Sequence, residues 1–189
     1  RGIYPLSLAW YLLGAPKEIT GQATIGLTGV DEQSVALLNY EDGAQAVLSS
    51  TLKAFGPNRA TVVGTHGHIE IVAPFFRTEH LVVTRFPVAG PRLTPAGIVV
   101  STSHESSLRR TVRRFQRAGL RLLRKNPDRV SYAFPLQGNG YNYEAAEVGR
   151  CLRASLLESP VMPQSESIAM SEAMDALRAR WGIVYPNDP

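Results

Sequence analysis

A chain of 189 residues, 44% hydrophobic and 19% charged, has the make-up of one globular domain, or of one domain with an extension, and can bury a sizeable core. No apolar run reaches the roughly 18 residues of a membrane span, and segment 6–13 lacks the basic lead and cleavage site of a secretion signal. The net charge of +4 is local: residues 109–125 (RRTVRRFQRAGLRLLRK) hold eight Arg/Lys and no acid, leaving twelve basic against sixteen acidic residues elsewhere.

The chain starts without methionine, at Gly-Ile-Tyr-Pro, and Tyr4–Leu13 reads as a helix. Pro5 suits the first helical position, where its missing N–H costs nothing. Leu6, Ala9, Trp10 and Leu13 recur at i, i+3, i+4, i+7 and give one buried face. Gly14 and Pro16 stop it.

Strands follow. The first covers 18–27 (EITGQATIGL). The next two, 32–40 and 44–52, flank Glu41-Asp42-Gly43, a hairpin signal. Residues 60–65 and 68–73 flank His66-Gly67, a second hairpin, and 80–86 (HLVVTRF) makes a further strand. With few helices between them, these strands predict a largely antiparallel sheet. Their imperfect alternation predicts helices on one face and some other cover on the far face.

Residues 87–107 are rich in Pro, Gly, Ser and Thr and read as an irregular excursion, followed by the basic segment 108–125. Residues 130–136 (VSYAFPL) suit an edge strand, since Pro135 forbids a central one. Two helices close the chain. In the first, about 141–157, Ala145, Val148, Cys151, Leu152, Ser155 and Leu156 form a stripe. SPVMP (159–163) breaks it. In the second, about 165–181, Ser165 is the expected N-cap, Met170, Met174, Leu177 and Trp181 form the apolar seam, and Gly182 ends it. The expected class is α+β: an open, mostly antiparallel sheet of about six strands with helices on one face.

Few motifs carry chemistry. GNGYNY (138–143) lacks the third glycine of a dinucleotide loop and reads as a loop entering a helix. His66 and His68 flank a turn, but no cysteines or clustered carboxylates complete a metal site, so none is expected. Gly-x-Ser-x-Gly is absent. Cys151, the sole cysteine, allows no internal disulfide and fits a buried thiol of a cytoplasmic protein. On a helix, the basic segment would set Leu108, Val112, Phe115 and Leu122 on one side and arginines on the others. That suits docking on the protein itself, on an anionic membrane or on nucleic acid. Tyr4 remains. A phenol with a pKa near 10 donates a proton at neutral pH only beside a cation; otherwise it is a tyrosine packed at a helix start.

Four stretches together resemble the C-terminal domain of the glucose–fructose oxidoreductase / inositol dehydrogenase / MocA family: GIYPLSLAWYLLG, VVGTHGHIEI, GYNYEAAEVGRCLRASLLESPVMPQSES and MDALRARWGIVYP. The last two are similar to the tail of its dihydrodiol dehydrogenase branch. The resemblance implies the second half of a two-domain enzyme. An N-terminal Rossmann domain, not in this chain, would bind NAD or NADP and supply the catalytic lysine, so this chain alone binds no cofactor and is inactive. It implies Tyr4 as the proton donor to the substrate oxygen, with Arg59 and Tyr143 as substrate-binding candidates. It also implies a sugar, polyol or dihydrodiol substrate and a homo-oligomer formed through the far sheet face. Residues 1–189 then form one substrate and oligomerisation domain, with about 88–135 as an arginine-rich insertion. The rival reading is a non-catalytic assembly module whose arginine helix binds anions.

Overall fold

The computed structural model describes residues 2–86 and 128–185. The expected excursion at 87–107 and the basic helix at 108–125 lie outside the described residues. The chain divides into two compact units, one drawn from residues 1–60, 72–79 and 134–189, the other from 61–71 and 80–133.

In the first unit, β1 (Glu18–Ile25), β2 (Asp31–Asn39) and β3 (Gln45–Thr51) form an antiparallel sheet in the order β1-β2-β3. The turn at 41–43 forms as the sequence predicts. Tyr40 N–H bonds to the Ala44 carbonyl (3.0 Å) and Gly43 N–H to the Tyr40 carbonyl (3.1 Å), while the Asp42 carboxylate accepts Ala44 N–H (3.0 Å). Helix α1 (Ile3–Leu13) and a C-terminal helix, called α3 below, cover one face of this sheet. Leu6, Ala9 and Trp10 of α1 meet Leu38, Tyr40 and Met170 in the core, and Ile19, Ala36, Ala46 and Leu48 from the same sheet face pack around them. Leu38, the next-to-last residue of the central strand β2, is fully buried. Pro5 lies one turn inside α1, at its third residue, where an N–H would still be spare.

Helices α2 (Tyr141–Arg153) and α3 (Gln164–Trp181) complete this unit. Helix α2 ends earlier than its apolar pattern predicts. Leu156 N–H bonds to the Cys151 carbonyl (2.9 Å) and Ser155 N–H to the Leu152 carbonyl (3.1 Å), with Ser155 left-handed at φ 54°. That reversal closes the helix before 157. Of the expected stripe only Cys151 is buried; Val148 and Leu152 are exposed. Ser165 is not the N-cap of α3. The helix starts at Gln164 after Pro163, and the Glu158 carboxylate accepts Gln164 N–H (2.8 Å) in its place. The other end follows expectation: Gly182 is left-handed at φ 70°, and Ile183 N–H reaches back to the Arg178 carbonyl (3.0 Å). Trp181 Nε1–H bonds to the Gly21 carbonyl (3.1 Å) and Arg180 to the Ile19 carbonyl (2.8 Å), which ties α3 to edge strand β1.

The second unit holds β4 (Ala60–Gly64), β5 (Gly67–Ile71), β6 (His80–Arg85) and β7 (Asp128–Ala133) in that order. The tight turn is Thr65-His66, one residue earlier than expected, since Gly67 already pairs with Arg85. A Cβ at Gly67 would lie 2.0 Å from the Thr84 carbonyl oxygen, so only glycine fits that approach. Among the described residues strand β7 pairs with β6 alone, so it is an edge strand as expected, but it ends at Ala133, before the Pro135 on which that expectation rested. The class is α+β and antiparallel; the described residues hold seven strands in two sheets, where about six in one were expected. The break falls at the exposed Gly56-Pro57 loop between β3 and β4.

Leu38→Ala should lower the free energy of unfolding by about 2–5 kcal/mol, the cost of a cavity at a closed core position. Urea denaturation followed by circular dichroism measures it, and a loss below about 1 kcal/mol would show that neighbours collapse into the space.

Candidate functional site

Helix α1 carries a second stripe on the side away from its core contacts. Tyr4, Ser7, Leu8 and Tyr11 recur at i, i+3, i+4, i+7 and line one side of a groove of about 290 Å³. Phe75 and Phe76, from the 3-10 turn Phe75–Arg77, and Val161 and Met162, from the loop between α2 and α3, supply the rest of the lining. The Tyr4 ring sits 5.1 Å from that of Phe76, tilted by 38°, and Phe76 meets Phe75 edge-on at 5.8 Å. Tyr4 itself is 53% exposed. An aromatic floor with two exposed phenols, Tyr4 and Tyr11, suits a ligand that presents an apolar ring and an oxygen.

The other candidate residues lie apart from this lining. Arg59 is exposed in the loop after β3. The loop is tied to the groove through its neighbour, because the Asn58 carbonyl accepts Phe75 N–H (2.9 Å). Tyr143 stands in the first turn of α2, and its hydroxyl accepts Gln137 N–H (3.1 Å), fixing the glycine loop that enters that helix. Neither residue lines the groove with Tyr4. His66 lies against Thr65 (3.0 Å) and His68 against the Phe86 ring (5.7 Å); among the described residues no three metal-ligating side chains cluster. A second hollow of about 420 Å³ is lined by Leu13, Lys17, Tyr40, Glu41 and Asp42. Its tyrosine is a poor proton donor: burial pushes the Tyr40 phenol up, and its hydroxyl is shut inside the core.

A polar chain reaches the groove from α2. Glu147 receives Arg150 through Nε–H and Nη2–H, both at 2.7 Å, in a two-pronged ion pair. The same carboxylate accepts the Ser159 hydroxyl (2.6 Å) and, more weakly, the Cys151 thiol (3.5 Å). Ser159 Oγ in turn accepts Val161 N–H (3.1 Å). The Arg150 bonds, then that of Ser159, hold the Glu147 carboxyl well below the usual carboxylate range, at about 2, and the pairing pushes Arg150 further up.

Sequence reasoning found Tyr4 and missed the rest of the groove. The second stripe on α1 is legible at the same spacing as the first, but the first was already sufficient to call a buried face. Phe75-Phe76 sits between two strands with no periodicity of its own. Val161 and Met162 lie in SPVMP, which reads only as a helix breaker.

Comparison with known proteins adds a lineage. Residues 1–70 match the family model described as the GFO/IDH/MocA C-terminal domain. The chain is 30% identical to a trans-1,2-dihydrobenzene-1,2-diol dehydrogenase of Danio rerio, over 99% of this chain and 46% of that protein. It is 29% identical to the Xenopus tropicalis protein of that name (90% and 42% covered) and 27% identical to that of Mus musculus (99% and 46%). It therefore spans about half the length of the curated relatives it matches. Among solved structures, an NAD binding oxidoreductase from Klebsiella pneumoniae superposes with a TM-score of 0.57 at 16% identity, covering 95% of this chain and 48% of that one, which shows a shared fold.

The Glu147 cluster makes the chain's stability depend on pH in a defined window. Its folded pKa is lowered, so its contribution is complete above the ordinary carboxylate pKa of about 4.3 and is lost as pH falls toward about 2. The difference in melting temperature between the native chain and Glu147→Gln should be constant from pH 7 to about 5 and shrink below about 4. A difference that persists undiminished at pH 2.5 would mean the carboxylate charge is not what the cluster uses.

Proposed function

We propose that this chain belongs to the GFO/IDH/MocA C-terminal domain family, whose model its residues 1–70 match. It is the substrate-side and assembly domain of an NAD(P)-dependent oxidoreductase of the dihydrodiol dehydrogenase type, with the relatives' shared name supporting that branch. The observation that carries the reading is the groove: a half-exposed phenol at the first turn of α1, set among Tyr11, Phe75, Phe76, Val161 and Met162.

The family implies a nicotinamide cofactor, and the described residues do not fit one. The only Gly-x-Gly turn, Gly138 to Gly140, follows Pro135 rather than a strand and leads into α2 with Asn139 capping Tyr141 N–H (3.3 Å). On this reading the dinucleotide binds outside the described residues, and what they contribute is the proton half of the reaction. Tyr4 exchanges a proton with the substrate oxygen as the carbon bearing it is oxidised or reduced, and the aromatic lining holds the substrate ring against that oxygen's position. The groove is open and Tyr4 is half-exposed in it, so a cationic partner for the phenol has room to approach.

The assembly role rests on the sheet. The face of β1-β2-β3 away from α1 and α3 presents Val35, Leu37 and Val47 among Thr and Gln side chains, with Val47 72% exposed. A flat face of this kind pairs with a copy of itself in a homo-oligomer. No helix among the described residues is long and apolar enough to cross a membrane. The single buried thiol fits the reducing cytoplasm, where we place the protein.

In the full-length protein, Tyr4→Phe should lower kcat by about 10²-fold or more with trans-1,2-dihydrobenzene-1,2-diol as substrate, the usual worth of a positioned acid–base group. Steady-state kinetics measures it. A kcat equal to that of the native enzyme would remove Tyr4 from proton transfer.

A further inference from the structure

We propose that Ser159, held by Glu147, is a positioning residue that fixes the Val161–Met162 wall of the groove which Tyr4 shares; the proposal rests on reading that groove as the substrate site. One hydroxyl makes two bonds in opposite senses. Its proton goes to Glu147 Oε1 (2.6 Å), and its lone pair takes Val161 N–H (3.1 Å). Glu147 is itself fixed by the two bonds from Arg150, so an unbroken chain runs from the surface of α2 to the groove wall. A second carboxylate pins the far end of the same segment, where Glu158 accepts Gln164 N–H (2.8 Å). Pro160 and Pro163 stiffen the backbone between these points.

This is more order than the fold requires. Val161 is 56% exposed and Met162 36%, and neither belongs to the hydrophobic core. Two half-exposed apolar side chains are held by polar bonds and prolines, where packing alone would leave them loose. Fixing them in advance lowers the entropy lost when a ligand settles against them. The effect falls on binding, since the wall touches substrate and not the transferred proton, and a KM effect with an unchanged kcat is its signature.

The test has a structural arm and a kinetic arm. In hydrogen exchange followed by mass spectrometry, segment 155–163 of Ser159→Ala should exchange faster than in the native protein, and Ser159→Thr, which keeps the hydroxyl, should restore protection. In the full-length enzyme, with trans-1,2-dihydrobenzene-1,2-diol as the probe and NAD⁺ or NADP⁺, Ser159→Ala should raise KM roughly 3- to 10-fold with kcat within about twofold. In a Met162→Ala background it should add little, because the wall it positions is already gone. Unchanged exchange overturns the proposal, and so does faster exchange with KM within twofold of native. Glu147→Gln serves if Ser159→Ala does not fold: it should move exchange and KM in the same direction, and no movement in either also overturns the proposal. A Tyr4→Phe enzyme with native kcat, alongside a Ser159→Ala enzyme with raised KM, would remove Tyr4 from the chemistry and leave the wall assigned.

Discussion

Helix α1 has two apolar stripes and one sheet to lay them on. Leu6, Ala9 and Trp10 take the sheet, closing over Leu38 and Tyr40. The stripe of Tyr4, Ser7, Leu8 and Tyr11 is then turned away from it by the geometry of the helix, whatever its own preference for water. The hydrophobic core therefore decides where the phenol points. Each large side chain in that contact contributes about 1.5–3 kcal/mol of burial, which is ample to hold a helix of three turns in one rotation about its axis. An aromatic groove on the outer side is the by-product of a packing decision made on the inner one.

What the core does for α1, polar bonds do for the opposite contribution to the groove. The loop between α2 and α3 brings no buried side chain of its own and relies on Glu147, Ser159 and Glu158. Two kinds of order thus meet in one place. The α1 side is set by apolar area and changes little with pH or salt. The loop side is set by two carboxylates, one of which titrates far below neutrality because an arginine and a hydroxyl share it.

The elements were legible because their causes are local. Strand alternation, the Glu41-Asp42-Gly43 turn and the left-handed Gly182 each follow from a few adjacent residues, and the structure places them within two residues or so of expectation. Where the reading slipped, a partner from elsewhere in the chain was responsible. Ser165 has the chemistry of a cap, yet Glu158, six residues before Gln164, takes that role by reaching across a proline turn. The α2 pattern extends to 157 on paper, but a backbone reversal at Ser155 ends it. The groove shows the same division. Tyr4 could be picked out from a helix start, whereas Phe76 and Met162 become its neighbours only through tertiary structure, and no spacing in the sequence announces that. Arg59, in a loop, and Tyr143, in the first turn of α2, illustrate the converse: attractive residue types that land outside the groove lining.

The cysteine tucked under Glu147 has a practical side. Cys151 is buried, with its thiol turned toward a carboxylate that already holds an arginine and a serine. Alkylating and maleimide reagents need to reach sulfur from solvent, and this one is roofed over. The native chain is in effect a blank background for thiol chemistry: a cysteine introduced at an exposed site such as Val47 becomes the single handle for a fluorophore or spin label, with no prior substitution needed to silence the original.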